Sequence, residues 1–251
     1  MASLTDSAVC LRCWDFSETS QTVSLLTREH GLLRGLAKGA KRANSSFSGG
    51  FDPLTSGQIV AILKPSRDLA LLTAWHLEKV HRALRQDLAA NRASLYMVDL
   101  VNRMLTTHDP HPEVFDALEA ALARCALKGE TARATLVFQW QLLCSCGYRP
   151  VLDHDVETGE LLDETLDAVG FSSTRGGTVA DTGAPDRWRV RPETIRLLRS
   201  LDADTSSMAV DDEVVQRANR LLAVYARDLL GEEPAAMRWA FPELSSSSAG
   251  T

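Results

Sequence analysis

A chain of 251 residues has room for one large domain or two small ones, and it is long enough to bury a core without disulfide bonds. Apolar residues make up 45% and charged residues 24%, as in ordinary globular proteins, and the net charge of −6 argues against a protein that coats nucleic acid by bulk charge. Residues 1–80 hold nine Lys/Arg against seven Asp/Glu, whereas the remainder holds eighteen against twenty-six. This asymmetry favours two modules with different electrostatic partners.

The N-terminus and the cysteines indicate the compartment. The first six residues lack the basic and apolar regions of a signal peptide, and no apolar run approaches the roughly 18 residues that span a bilayer. The sequence therefore predicts a cytoplasmic protein without a membrane partner. Five cysteines, an odd number, fit reduced thiols better than a disulfide framework. They are Cys10, Cys13, Cys125, Cys144 and Cys146.

The first 76 residues are predicted to form a small β-barrel domain. Apolar and polar residues alternate in short runs, and turn residues separate these runs, which is typical of all-β structure. The predicted strands are 7–14, 19–27, 32–38, 58–63 and 69–75, with a turn at 65–68 between the last two. Five strands in a segment of this length fit a small closed barrel such as the OB-fold.

From Leu77 onward the apolar residues recur at helical spacing, which predicts a helical domain over 77–235. The predicted helices are 77–88, 95–105, 114–125, a buried helix at 131–146, 192–201, and a last long helix that is capped by Asp211 or Asp212 and closed by Gly231. Glycines, prolines and acidic residues interrupt this pattern over 148–190. The serine-rich tail, 236–251, is expected to be disordered.

A basic segment on the predicted barrel points towards nucleic acid. Lys38, Lys41 and Arg42 follow β-rich sequence and stand beside glycines that let a backbone approach a ligand closely. We expect these three residues to contact phosphates as sequence-independent charges, and Arg34 to line the same face. Arg28, at the preceding turn with His30, is a further candidate. The alternative is a solvated loop without a ligand.

Two other patterns of this region have structural interpretations. Phe47 and Phe51 flank Gly49-Gly50, and we favour anchoring of the loop onto the barrel over stacking of these rings on bases. Cys10 and Cys13 have Cys-x-x-Cys spacing, but residues three apart on a strand point to opposite faces. We therefore expect core thiols rather than a metal or redox site.

The sequence offers no catalytic constellation. It has neither a phosphate-binding Gly-rich loop nor a Gly-x-Ser-x-Gly motif, and its six histidines have no recognisable ligand spacing. The acidic residues Asp163, Glu164 and Asp167 are interpreted as a solvated face. We predict that the protein is not an enzyme, and a hydrolase or nuclease lacks the necessary carboxylate–metal cluster.

Several short motifs follow one another in a characteristic order. In the N-terminal part these are Glu18-Thr19, Leu25-Leu26-Thr27-Arg28-Glu29-His30-Gly31 and the distinctive Ala37-Lys38-Gly39-Ala40-Lys41-Arg42. Farther on, 142–153 looks like a helix end that leads into a metal knuckle, which Phe171-Ser172 and Gly176-Gly177 continue. Over roughly residues 7–235 the chain resembles the RecO family of bacterial recombination mediators.

This resemblance implies an α+β multidomain protein, with an N-terminal five-stranded OB-fold barrel and an all-helical domain that carries a knuckle-like insertion at about 148–190. It implies a DNA repair and recombination mediator that binds single- and double-stranded DNA and anneals complementary strands. Such a protein works with RecR and with single-stranded-DNA-binding protein to load the recombinase, and we expect it in the cytoplasm with the nucleoid. The alternative is a scaffold whose barrel binds a protein.

The knuckle departs from the family pattern. Many members hold zinc there with four cysteines, in two Cys-x-x-Cys pairs, as tetrahedral sites require. Here the first pair falls on Asp155 and Thr158 and the second near Ala180 and Gly183, so all four thiolates are missing. We predict no metal and no other cofactor, although His154, Asp155, Glu157 and Asp181 leave an oxygen-rich substitute site as an alternative.

The C-terminal tail of the single-stranded-DNA-binding protein is the partner for which candidate residues are available. It needs an apolar pocket with a nearby basic residue. The candidates for the basic part are Arg124, Lys128, Arg133, Arg217 and Arg220.

Overall fold

The computed structural model describes residues 2–63, 69–162, 167–202 and 210–245. The chain divides into two compact units, residues 1–131 and 132–251. The predicted turn at 65–68, the acidic residues Asp163 and Glu164, and residues 246–251 of the predicted tail lie outside the described residues.

The first unit contains the predicted five-stranded barrel. Its strands are β1 (Ala2–Asp15), β2 (Gln21–Thr27), β3 (Gly31–Ala37), β4 (Thr55–Leu63) and β5 (Ala70–Val80). The barrel closes in the order β1-β2-β3-β5-β4, and its pairs are antiparallel except for β3 with β5, which run parallel. A five-stranded closed barrel followed by helices confirms the fold class predicted from the sequence.

A β-bulge corrects the prediction for the two N-terminal cysteines. Cys10 pairs with Leu25 and Cys13 with Val23, while the register shifts between Cys10 and Arg12. The extra residue turns both thiols towards the barrel core, so the prediction that they point to opposite faces is wrong. A hydrogen bond between the thiols, together with burial, raises the pKa of Cys10, and the same hydrogen bond lowers the pKa of Cys13.

The predicted helix over 77–88 is wrong, because β5 continues to Val80. Leu77 pairs with Gly57 and Val80 with Thr55, so ladder hydrogen bonds hold this stretch extended. A short 3₁₀ turn follows at Arg82–Arg85. The first α-helix begins only at Leu88, where the Asp87 carboxylate accepts the N–H groups of Ala89 and Ala90. The residues at apparent helical spacing belong to three different elements: Leu77 and Val80 lie on β5, Leu84 lies in the 3₁₀ turn, and Leu88 begins the first α-helix.

Two helices pack against the barrel within the first unit. They are α1 (Leu88–Met104) and α2 (Pro112–Cys125). On α1, the buried carboxylate of Asp99 lies 2.6 Å from the guanidinium of Arg12 on β1. On α2, Glu119 accepts hydrogen bonds from Ser56 on β4 and Lys79 on β5. These polar contacts fix both helices to the outer face of the barrel.

The second unit combines helices with a small sheet that the sequence analysis did not predict. Its elements are α3 (Thr131–Ser145), β6 (Val169–Ser172), β7 (Gly177–Val179), β8 (Trp188–Val190), α4 (Pro192–Ser200), α5 (Asp212–Leu230), α6 (Met237–Ala240) and α7 (Pro242–Ser245). The sheet is antiparallel, in the order β7-β6-β8. Strands of three or four residues are too short for a period-two pattern to reveal them.

The helix ends of the second unit follow the sequence signals closely. The Asp211 carboxylate caps α5 by accepting the Glu213 N–H, and Gly231 ends it with a left-handed φ of 68°. Pro192 stands in the first turn of α4, as predicted. The helix α3 is the predicted buried one, and Phe138 on it is fully buried.

Candidate nucleic-acid interface

The loop after β3, residues 38–54, is fixed over one end of the barrel. The side-chain amide of Gln21 donates to the Phe51 carbonyl (3.2 Å) and accepts the Phe51 N–H (2.9 Å). Phe47 and Phe51 are buried, and the Phe51 ring centre lies 5.1 Å from that of Trp75. The two phenylalanines therefore anchor the loop in the barrel core, as favoured from the sequence, and are not available to stack on bases.

Four cations follow one another along β3 and the turn after it. Arg34 lies on β3, Lys38 follows the strand end, and Lys41 and Arg42 stand in the turn. Each residue is exposed. Gly39 permits the turn with a φ of 69°, and the Lys41 N–H donates to the Thr19 carbonyl. We refer to the exposed side chains of Arg34, Lys38, Lys41 and Arg42 as the barrel surface.

Most of the charge on the barrel surface is uncompensated. Arg34, Lys38 and Arg42 form no ion pair within the described ranges. The Lys41 ammonium lies 2.5 Å from the Asp15 carboxylate, which is itself exposed at the end of β1. Exposed pairs of this kind are weak, so a phosphate competes readily with Asp15 for Lys41.

Arg28 lies away from the barrel surface. It stands in the tight turn between β2 and β3, whereas Lys38 follows the opposite end of β3, about 20 Å along a seven-residue strand. Its guanidinium pairs with Asp116 at 2.9 Å and with Glu29 at 2.7 Å, and the hydrogen bonds to Asp116 raise the pKa of Arg28. The neighbouring His30 lies 2.7 Å from Asp6. Arg28 and His30 are thus separate from the four cations and have carboxylate partners.

Two exposed aromatic rings near the barrel surface were missed in the sequence analysis. Trp14 at the end of β1 is 49% exposed, and Phe16 in the following loop is 63% exposed. Both rings stand next to Asp15 at the end of a predicted strand, where polar residues are the rule. This position is the feature of the sequence that could have indicated their exposure. In the folded barrel Cys13 packs against the core and Trp14 points away from it, which exposes the indole.

In the knuckle region, a carboxylate fixes the loop where the resemblance implies zinc. Asp155 is buried, and it accepts the N–H groups of Glu157 (2.7 Å) and Thr158 (3.1 Å) and also that of Ala180. Burial alone raises the pKa of Asp155, but these three donors outweigh burial and the net shift is downward. Thr158 lies on the arm of Asp155 and Ala180 on the other arm, so hydrogen bonds join the two arms of the knuckle at positions where the resemblance implies cysteines.

The residues of the knuckle do not fit a zinc ion. The Asp155 carboxylate is occupied by backbone donors, and Thr158, Ala180 and Gly183 offer no soft ligand. Glu157, one of the substitute ligands considered, pairs with Arg187 at 2.8 Å. Among the described residues, no group of three or more His, Cys, Asp or Glu side chains is placed to hold a metal.

The second unit has an apolar groove of about 420 Å³ bordered by arginines. Its apolar lining residues are Trp188, Val190, Leu221, Val224 and Leu244, and its arginines are Arg189, Arg191, Arg217, Arg220 and Arg227. Two buried polar atoms on the lining, Thr194 Oγ1 and Arg217 Nε, have no hydrogen-bond partner in the described part of the chain. Buried polar groups without partners are costly, so these two atoms lower the stability of the free protein. We refer to this site as the groove.

The structure sorts the candidate basic residues for a partner tail. Arg217 and Arg220 line the groove. Arg133, also in the second unit, donates to the Val210 carbonyl at 2.9 Å. Arg124 and Lys128 belong to the first unit, where Arg124 pairs with Glu130 at 2.7 Å. Only two of the five candidates are therefore brought together at an apolar site.

Comparison with known proteins identifies the family. The model of the recombination protein O N-terminal region matches residues 1–80, and that of the C-terminal region matches residues 85–238. The chain belongs to the recombination protein O family. Its members act in DNA repair and recombination, and this chain shares that role.

Relatives named DNA repair protein RecO are similar over most of the chain. The one from Rhodopirellula baltica is 33% identical over 180 residues, which cover 72% of this chain and 67% of the relative. The one from Salinibacter ruber is 35% identical over 182 residues, with coverage of 72% and 68%. The one from Myxococcus xanthus is 29% identical over 231 residues and covers 90% of this chain and 92% of the relative. Both compact units thus fall within the family.

Within the described ranges, no helix is both long enough and apolar enough to cross a lipid bilayer.

Proposed function

We propose that this RecO-family protein binds single- and double-stranded DNA through the barrel surface and promotes the annealing of complementary strands. The observation that carries the proposal is a row of four exposed cations, three of them without an ion-pair partner among described residues, on β3 and on the loop after it, which buried side chains hold in place. Such a row neutralises backbone phosphates of any sequence and releases their counterions. Neutralised strands repel each other less, so complementary bases pair sooner.

This mechanism needs no chemical step. The barrel surface contains cations but no nucleophile, acid–base pair or metal ligand set among its four residues. We therefore propose a non-enzymatic mediator that works without a metal cofactor, in the cytoplasm at the nucleoid, and helps to load the recombinase together with RecR. Arg28 is at most a peripheral DNA contact in this proposal, since Asp116 and Glu29 already compensate its charge.

For the second partner, we propose that the groove holds the acidic C-terminal tail of single-stranded-DNA-binding protein. The groove offers apolar walls for side chains and arginines for carboxylates, which an acidic peptide with apolar residues requires. Four of these arginines now face carboxylates of the chain itself, for example Arg217 with Glu213 at 2.6 Å and Arg220 with Glu243 at 3.8 Å. A bound tail takes the place of such weak, exposed partners.

The DNA proposal is tested by fluorescence anisotropy with a labelled single strand across a salt series. Replacing Lys38, Lys41 and Arg42 together by Ala is expected to weaken binding at low salt and to reduce the log–log salt slope by up to about 0.7 for each lost contact. Arg28→Ala, which removes one exposed but compensated cation, is the matched control and should change the slope far less. An unchanged slope and affinity in the triple variant would show that DNA, if bound, lies elsewhere.

A further inference from the structure

We propose that Trp14 and Phe16 form a stacking platform for unpaired bases, which makes the barrel surface selective for single-stranded over duplex DNA. This inference rests on the proposed DNA binding and adds to it a base-contacting part and a strand preference. We refer to the two rings as the aromatic pair.

The strand register places Trp14 on the same outer face as Arg34. Trp14 pairs with Thr22 on β2, and Thr22 pairs with Leu36 on β3, so these three residues form one row across the barrel. Cys13 points inward after the bulge, and its neighbour Trp14 therefore points outward. Arg34 stands two residues before Leu36 on the same face, and Lys38 follows the end of this strand. Two strand spacings of about 4.8 Å thus separate the indole position from the strand that carries Arg34.

Phe16 lies on a loop that contacts the basic turn directly. The loop between β1 and β2 accepts the Lys41 N–H at the Thr19 carbonyl (3.0 Å) and the Gly39 N–H at the Ser20 hydroxyl (3.1 Å). In addition, Asp15 holds Lys41. The aromatic pair and the cations therefore belong to two neighbouring segments that hydrogen bonds tie together.

The exposure of these two rings sets them apart from the other aromatic side chains of the first unit. Those side chains are buried: Phe47, Phe51, Trp75, Tyr96 and Phe115. A single exposed apolar residue needs no explanation, but two large rings beside uncompensated cations form the combination that single-strand-binding surfaces use. Every base has an aromatic face, so stacking on such rings is tolerant of sequence.

The charges also orient the strand. Asp15, at the end of β1, and Glu18, on the same loop as Phe16, are exposed, and they disfavour phosphates there. Phosphates are favoured along β3 and its turn, where Arg34, Lys38 and Arg42 lie. A strand placed between the two segments therefore turns its backbone towards the cations and its bases towards the aromatic pair. Bases in a duplex are stacked and paired, so duplex DNA uses the cations alone.

The experiment compares the affinities of wild type and a Trp14→Ala/Phe16→Ala variant for an oligo-dT single strand and for a duplex of equal length. We expect the affinity for the single strand to fall about tenfold and that for the duplex to change less than about twofold. A Trp14→Phe variant keeps a ring and should retain single-strand affinity within about threefold. Trp239→Ala, which removes a 45% exposed indole from the second unit, is the control. Circular dichroism verifies the fold of each variant.

The outcomes separate this inference from the proposed function. If wild type binds neither DNA, both are overturned. If wild type binds both DNAs, the Lys38/Lys41/Arg42 variant loses binding and the aromatic variant keeps the wild-type ratio of affinities, the barrel surface remains the DNA site and the aromatic pair is overturned. If the aromatic variant loses a protein partner while its DNA affinities stay unchanged, the rings form a protein contact and the inference is likewise overturned.

Discussion

The barrel surface and the groove both present basic side chains, but the two sites hold these charges in different ways. On the barrel surface three of four cations have no ion-pair partner within the described ranges, and the apolar residues of the barrel are packed into a core. In the groove four of five arginines face a carboxylate, and the walls between them are apolar. Free charges suit a polyanion of any sequence, whereas compensated charges around an apolar groove suit one acidic partner of defined shape.

The supports beneath the two sites differ as well. A neutral amide, Gln21, fixes the loop of the barrel surface. An ionised carboxylate, Asp155, fixes the knuckle. One arm of the knuckle continues into β7, which belongs to the same sheet as β8. The strand β8 forms one wall of the groove. The amide does not titrate, but the carboxylate does. At acidic pH the loop of the barrel surface should therefore stay in place. The knuckle should loosen at acidic pH, and with it the wall of the groove that β8 forms.

Asp155→Ala is expected to have the largest effect on stability. It leaves three backbone N–H groups without their acceptor, at about 2–4 kcal/mol in total, and should abolish tail-peptide binding while sparing DNA binding. Chemical unfolding followed by circular dichroism measures the loss. Glu160→Ala, which truncates an exposed side chain of the same loop, is the control. Equal stability of both variants would show that Asp155 does not hold the knuckle.

The same carboxylate predicts a pH dependence. Because the pKa of Asp155 is lower in the folded protein, its contribution to stability is complete above the ordinary carboxyl pKa of about 4 and is lost as the pH falls through the lower folded value. The difference in unfolding free energy between wild type and Asp155→Ala should shrink as the pH falls below about 4. A difference that stays constant there would contradict the proposed role of the charge.

Gln21→Ala should destabilise the protein by about 1–3 kcal/mol, because the N–H and carbonyl of Phe51 lose their buried partner. Since the loop then loosens, DNA affinity should also fall, while the affinity for the tail peptide stays the same. Gln58→Ala, on the exposed side of β4, is the control. Loss of stability without any change in DNA affinity would mean that the cations need no fixed loop.

Thr194→Val is expected to raise stability without changing the affinity for the tail peptide. The valine removes a buried hydroxyl that has no partner in the described part of the chain, so the free protein should gain about 1 kcal/mol. Because this hydroxyl is enclosed, the affinity for the tail peptide should stay the same, and chemical unfolding measures the gain. A variant that is less stable than wild type would show that the hydroxyl has a hydrogen-bond partner in the folded protein.

Asp15→Asn is expected to produce the smallest effect. The change frees Lys41 from its carboxylate partner and removes one negative charge near the phosphate path, so DNA affinity should rise about two- to fivefold at low salt. Asp52→Asn, which frees Arg85 in the same way, serves as the comparison. An equal gain in both variants would indicate a general charge effect instead of a local one.

The sequence predicted features that depend on local signals. The barrel strands follow from alternation between turn residues, and the ends of α4 and α5 follow from Pro192, Asp211 and Gly231. The anchoring of Phe47 and Phe51 was predicted correctly because large rings beside a glycine turn prefer a core. These residues determine structure mainly through their near neighbours in the chain.

Features that depend on distant pairing were not predictable. One extra residue in β1 turns Cys10 and Cys13 to the same side of the strand, which their spacing alone does not reveal. The extension of β5 to Val80 depends on its partner β4, and the groove joins side chains of β8 and α4 to those of α5, a separate element farther along the chain. The hydrogen bonds of Asp155 to both arms of the knuckle likewise need the folded chain.

The contrast between the two sites is tested most directly by a paired titration. Single-stranded DNA and an acidic tail peptide are each titrated, in one buffer, into wild type, the Lys38/Lys41/Arg42→Ala variant and an Arg217/Arg220/Arg227→Ala variant. We predict that the first variant loses DNA and keeps the peptide, and that the second loses the peptide and keeps DNA within about threefold. Loss of DNA binding in the groove variant, with the barrel variant unaffected, would contradict the assignment of the barrel surface as the DNA site.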